Sequence, residues 1–384
     1  MNITYLLGAG ASANTIQPVN GMKESLSAMA KQLLNYTRDQ INDETFRQYS
    51  FDLRNRLDYV AQIAREVEWL LGEARFHETV DTLAKYYYLT GNSESLIRLK
   101  KALITYFVLK QLCVLQANPL HNIPSPIEKL LDRRYDSFIA TIATRDRNGF
   151  KLPGNVKILT WNYDLQLELA LKRYVPVKIH EIKEQFQIFP NHNSFDVSTG
   201  DLANLGSFAA VKLNGNAFWD NPSETGENLK TTIFDQFYGT NCPLDVVSEL
   251  ARQYDWLNEN RGELMTKTAS YFNFAWETDG NFRDKHLGHG NNIEQAVQIA
   301  QHTQILVVIG YSFPVFNRSV DRHLFTNMRC LTKVYIMDPN AEKIKSIMVN
   351  AFELFQQLPE VKREQIVFQL ETGKAQFIIP YEID

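Results

Sequence analysis

The chain has 384 residues, 44% of them hydrophobic and 22% charged, with a formal net charge of -4. This is the composition of an ordinary globular protein; the length predicts two domains or one large domain with a long insertion, and the acidic balance gives no overall electrostatic reason to bind nucleic acid or an anionic membrane. No apolar run approaches the roughly 20 residues of a spanning helix. The N-terminus lacks signal-peptide features, and three scattered cysteines, Cys113, Cys242 and Cys330, form no CxxC, so neither a disulfide framework nor a thiolate zinc site is expected and a cytoplasmic place is.

The first element is the apolar run Ile3 to Leu7, long enough for one buried strand. Behind it, Gly8 to Ala13 satisfies G-x-G-x-x-(G/A). In that motif glycines permit a tight turn and a close approach of backbone N–H groups to a pyrophosphate, whose charge the start of the next helix favours. A tight turn without a nucleotide explains the same residues. The usual dinucleotide fingerprint also wants an acidic residue about 20 positions on, after a second strand. Here that distance falls in the helical stretch "GMKESLSAMAKQLL", which argues against an ordinary dehydrogenase.

Residues 21–150 read as mostly helix. Leu57, Val60, Ala64, Val67 and Leu71 recur at spacings of three and four, and Leu26, Met29 and Leu33 repeat the pattern. An all-helical insertion is expected there. Four further apolar runs then read as buried parallel strands: Val156 to Thr160, Ala209 to Leu213, Gln304 to Ile309 and Lys333 to Met337. Each leads into a polar or glycine-containing turn, "WNYD", "NGN", "GYS" and "DPN". The helical patterns "DLQLELALKRY" and "NAEKIKSIMVNAFELF" supply crossovers. The expected fold is α/β: a Rossmann-like parallel sheet made of residues 1–20 and 151–384, interrupted by the helical insertion. Because such sheets bind ligands at the carboxyl ends of their strands, all five turns are expected to share one site. An irregular aromatic and polar region, about Asn214 to Asn292, is harder to read.

In "TWNYD", Asn162 and Asp164 stand two apart at a strand end, so in extended geometry both face one ligand. Asp164 equally suits the N-cap of the helix that follows. Asn340 likewise suits the cap of the helix beginning "AEKI". His286 and His289, beside Asp284, have a spacing seen in metal sites but no third clear ligand. No metal is expected, and His180 and His192 have no better claim. The Phe and Trp of "FAWETDGNF" fit a stacking face or, more simply, a core.

The segments "GAGAS", "TWNYD", the turn after "VKL", "IGYSFP" and "MDPN", in this order, resemble the sirtuin-like NAD-binding superfamily. The resemblance is closer to its bacterial antiphage branch, the type that pairs with a HerA-like ATPase and hydrolyses NAD. It covers Met1 to Val19 and, in pieces, Val156 to Asn340. It implies phosphate-loop roles for Gly8, Ala9, Gly10 and Ser12, cofactor contacts for Gly310 and Ser312, and a place near the adenosine for Asp338 and Asn340. Asn162 and Asp164 match the paired residues of the family's T-x-N-x-D turn. Protein-deacylating members carry a zinc module with two CxxC pairs, which this chain lacks, so acyl-lysine chemistry is disfavoured.

A second departure lies in "KLNGN": active members have histidine before the glycine, and here it is Asn214. An amide cannot take a proton near neutral pH, so general-base duty moves elsewhere or is unnecessary. Catalysis then rests on positioning and on a carboxylate beside developing positive charge, for which Asp164 is the candidate. The resemblance implies NAD glycohydrolysis to nicotinamide and ADP-ribose in antiphage defence, with NAD as substrate. It also implies a homo-oligomer and control by a separate partner, such as a HerA-like ATPase ring, an Argonaute-like protein or a phage-protein sensor. The alternative is a catalytically weak or inactive NAD- or ADP-ribose-binding platform for a defence complex. Autonomous nucleic-acid processing is disfavoured by the charge and by the lack of a nuclease metal cluster.

Overall fold

The computed structural model describes residues 1–18, 21–35, 51–112, 127–147, 149–191, 204–217, 232–238, 243–259, 272–278, 289–352, 366–373 and 375–383. The chain divides into two units. One comprises Met1–Ala13, Arg133–Asn216 and Asn273–Asp384; the other comprises Asn14–Asp132 and Ala217–Phe272. The first is an α/β unit built on a Rossmann-like parallel sheet, and the second is helical in its described residues.

The sheet has seven strands: β1 (Ile3–Leu7), β4 (Val156–Thr160), β5 (Ile188–Phe189), β6 (Ala209–Lys212), β7 (Ile305–Ile309), β8 (Lys333–Met337) and β9 (Val367–Glu371). Their order is β5-β6-β4-β1-β7-β8-β9, and every neighbouring pair is parallel. β1, β4 and β7 are buried at all five positions, because helices cover both faces of a parallel sheet; this is why they read as unbroken apolar runs. Register aligns the strand ends: Leu7 lies opposite both Thr160 and Ile309, Thr160 opposite Lys212, and Ile309 opposite Met337. The five turns therefore leave the sheet from one edge.

Two strands escape the sequence pattern. β5 has two residues, too few for periodicity, and β9 alternates apolar with polar residues at the sheet margin. Connections from β1 lead to β4 on one side and those from β7 lead to β8 on the other, so the strand order reverses between β1 and β7. That is where open α/β sheets form their ligand crevice.

The helical unit differs in extent from the expected 21–150. It ends at Asp132 and takes in residues from 217 to 272. The helix Arg133–Ile142 belongs to the sheet unit because its Tyr135 and Phe138 rings pack on Phe377 at 5.1 and 5.9 Å and Phe138 meets Tyr5 at 4.8 Å. The two-stranded hairpin β2 (Thr144–Asp146) and β3 (Gly149–Lys151) follows it, with Phe150 stacked on Tyr174. Conversely, the helix Pro243–Glu259 packs on the helix Phe51–Glu73 and pairs Asp245 with Arg56.

Within this unit Leu57, Val60, Ala64 and Val67 are buried as the spacing predicts, as are Leu26, Met29 and Leu33. Leu70, rather than Leu71, completes the buried face of the long helix. The helix Ser93–Leu112 is buried almost all round, as befits the middle of a bundle. No helix among the described residues is long and apolar enough to cross a membrane.

Candidate functional site

At the carboxyl edge of the sheet, the turn after β1 is the 3-10 turn Ala9–Ser12. The next α-helix begins at Met22, within the stretch "GMKESLSAMAKQLL" that reads as helical, and belongs to the other unit. The glycines are explained by a close approach of two turns. Gly8 N–H donates to Ile309 O at 3.0 Å and Gly10 N–H to Gly310 O at 2.9 Å. A Cβ on Gly8 would stand 2.6 Å from Gly310 O, and one on Gly310 would stand 2.4 Å from Gly10 Cα. Gly310 also adopts φ +58, where a side chain is strained. Ala11 N–H is taken by Gly8 O at 2.9 Å. Ala9 is exposed, Gly10 half-buried and Ser12 buried.

Asn162 stitches the turn after β4 to the turn after β1. Its side-chain nitrogen donates to Gly8 O at 2.9 Å and to Ser12 Oγ at 3.2 Å, and its backbone N–H to Thr160 Oγ1 at 3.0 Å. Its Oδ1 accepts from no described group. Ser12 is the hub of this corner: its hydroxyl also meets Tyr135 Oη at 3.1 Å and lies beside the Asp164 carboxylate. Asp164 Oδ1 accepts the Gln166 N–H at 3.1 Å. The helix Gln166–Lys172 has Leu165 at its N-cap, so Asp164 serves the helix start from one residue further out than expected. Burial pushes the Asp164 carboxyl up; the Lys212 ammonium, the Gln166 N–H and the Ser12 hydroxyl oppose this, and Glu168 adds to it.

Among the described residues, the turn after β6 and the helix His289–His302 hold neutral amides with unmet hydrogen-bonding capacity. Asn214, 7% exposed, keeps a buried Oδ1 without a partner, while its backbone carbonyl accepts the Asn273 N–H at 2.9 Å. Asn216 is 1% exposed with both amide atoms unpartnered, and Asn292 leaves Oδ1 unpartnered while its nitrogen reaches Lys212 O at 3.4 Å. Gly215 between the first two sits at φ +81. Each such atom costs about 1–3 kcal/mol if left unmet.

The later turns are more open. Ser312 is exposed, and Phe313 takes φ +53, a left-handed conformation uncommon outside glycine. Tyr311 is buried, stacks on Trp161 at 6.0 Å, donates to Asp321 Oδ2 at 2.7 Å and accepts from Asn317 at 3.1 Å. Burial pushes Asp321 up to about 8. Asp338 Oδ1 accepts the Asn340 N–H at 2.8 Å. Asn340 occupies the N-cap of the helix Ala341–Ala351 as expected, but its side chain makes no cap bond.

Thus Gly8, Gly10, Ser12, Asn162, Asp164 and Gly310 form one bonded corner, whereas Asn214, in the turn after β6, is bonded to Asn273. Asp338 and Asn340 share the sheet edge away from that corner, where Asp338 N–H donates to Glu371 O at 3.2 Å. Residues that sequence reasoning missed include Lys212 and Glu168, which form a buried ion pair, and Arg134, whose guanidinium donates to Gly10 O and Ala11 O at 3.1 and 3.0 Å. A lysine inside the apolar run "AAVKL" was the one available signal; Arg134 gave none. Phe274 is buried and stacked on Trp276 at 5.1 Å, consistent with a packing role.

Asp284, His286, His192, Cys113 and Cys242 lie outside the described residues, and of the His289 side chain nothing is described. His180 lies on the helix Ile179–Gln185, and Cys330 is exposed. Among the described residues no group of three or more His, Cys, Asp or Glu is placed to hold a metal ion. Compared with known proteins, the chain matches no family model, no curated protein and no solved structure.

Proposed function

We propose that this chain is an NAD glycohydrolase, cleaving NAD with water to nicotinamide and ADP-ribose. The observation that carries the reading is the corner in which Asn162, Ser12 and Asp164 meet above the ends of β1 and β4, next to the strand-order reversal of a parallel sheet. A carboxylate held there faces the positive charge that develops at the sugar carbon as the glycosidic C–N bond breaks. The leaving nicotinamide is neutral and takes no proton. The oxygen of water bonds to the sugar carbon, and its proton passes to solvent. Asn162 Oδ1 is suited to orient that water or a ribose hydroxyl, since its nitrogen is already engaged. The unmet amides of Asn214, Asn216 and Asn292 suit hydroxyl or carboxamide groups of a ligand.

In the biological role proposed with it, the activity depletes NAD during phage infection. The protein acts in the cytoplasm as a homo-oligomer, under control of a partner such as a HerA-like ATPase. The second reading, an NAD- or ADP-ribose-binding platform, is favoured by Asn214, which cannot accept a proton.

Incubating the purified chain with NAD, with and without a HerA-like partner, decides between them. Nicotinamide release that Asp164→Asn abolishes is expected. Measurable NAD binding without release in either condition would leave the platform. Asn214→His is expected to raise cleavage if proton transfer limits turnover.

A further inference from the structure

Beneath Asp164 lies a charge arrangement that the proposed reaction does not use directly. Lys212, 2% exposed in β6, donates to Glu168 Oε1 and Oε2 at 2.9 and 3.2 Å and to the backbone carbonyl of Asp164. Glu168 is 0% exposed. The ammonium is thus shared between the counter-ion that neutralises it and the turn that carries Asp164. The Lys–Glu pair is neutral by itself, so an ionised Asp164 places one net negative charge in a buried site. Among the described residues, the groups that act on it are Lys212 from β6, Glu168 from its own helix, the Ser12 hydroxyl from the turn after β1, and the Gln166 N–H.

We propose that Lys212 and Glu168 are positioning residues that set the charge of Asp164 in opposite directions: the ammonium anchors the Asp164 turn and favours the carboxylate, whereas Glu168 competes for that ammonium and favours the neutral acid. For turnover this rests on the NAD-cleaving reading; for the titration of Asp164 it does not. A pair that only fills the core, with its charges screened from Asp164, would lose stability on either substitution and leave the Asp164 midpoint where it was. The arrangement also explains why a lysine is tolerated in a buried strand: removing one partner of such a pair is costly, whereas removing both together is often neutral.

The test is a carboxyl-carbon NMR titration of the full chain labelled in aspartate, with Asp164→Asn identifying the signal. Lys212→Met is expected to raise the Asp164 midpoint by about 1–3 pH units, since the charge of Glu168 then acts on it without the ammonium to oppose it, and Glu168→Gln to lower it by about one. If Lys212→Met does not fold, the double variant Lys212→Met/Glu168→Gln is compared with Glu168→Gln, against which loss of the ammonium must still raise the midpoint. Shifts of the same sign, or none beyond about 0.3 units, overturn the proposal. The acid limb of NAD cleavage is expected to follow the midpoint in each variant. Opposite shifts in a chain that never cleaves NAD would sustain the charge coupling and remove the enzyme reading. Cleavage with an unmoved titration would do the reverse.

Discussion

The two halves of the sheet's carboxyl edge solve different problems. Between β1 and β7 the turns are closed upon each other: Gly8, Gly10 and Gly310 pack backbone against backbone, and their N–H groups are largely bonded within the chain. Across β4 and β6 the turns carry buried polar side chains, of which Asn162 and Asp164 are bonded and Asn214 and Asn216 are not fully satisfied. The glycine motif, which first drew attention as a phosphate cradle, thus has a complete packing explanation. The less distinctive amides and acid are where unmet chemistry resides.

The sharpest way to break this contrast is Gly310→Ala. Its methyl group would stand 2.4 Å from Gly10 Cα at a positive φ, and neither backbone is free to yield. We expect a loss of about 3–4 kcal/mol, read as a large fall in thermal midpoint with or without NAD. A loss below about 1 kcal/mol would mean that the two turns are not locked together.

Asn162→Ala tests the other half. Two buried hydrogen bonds are lost, so we expect about 1–2 kcal/mol of destabilisation by urea unfolding, together with loss of nicotinamide release in the surviving folded protein. Reading the residue as a turn position alone would predict less, because burial between Gly8 and Ser12 is a tertiary fact.

Asp321 connects Tyr311, in the turn after β7, to the core. Its folded pKa of about 8 lies above the roughly 3.9 of an unfolded aspartate. Between those values the folded chain holds a proton that the unfolded chain has released. Its contribution is therefore present below about pH 4 and is lost as pH rises through about 8. Asp321→Asn should flatten that part of the stability-versus-pH curve; an unchanged slope would place the ionisation elsewhere. The smallest effect is expected at Asn340→Ala, within about 0.5 kcal/mol, because the side chain makes no cap bond. A loss near 1 kcal/mol would show a cap after all.

Much of the fold was legible in particular residues. Ile3 to Leu7, Val156 to Thr160 and Lys333 to Met337 are strands with the expected bounds, and the runs at Ala209 and Gln304 differ by one residue at an end. Strands buried on both faces must be apolar throughout, and that requirement is written locally. β5 and β9 were not legible, one being too short and the other marginal. The place of the helix Arg133–Ile142 in the sheet unit was not legible because Tyr135 and Phe138 choose their partners, Phe377 and Tyr5, across more than a hundred residues of sequence.

What the sequence determined by itself was the set of buried strands, the turns that end them and hence a parallel sheet, since apolar runs and turn chemistry act over a few neighbours. Tertiary structure alone decided that Gly8 and Gly10 meet Gly310, that Asn162 reaches back to Ser12, and that Lys212 is shared between Glu168 and Asp164. Those contacts depend on strand order and register, which place side chains from distant segments within hydrogen-bonding reach, and no local pattern encodes that distance.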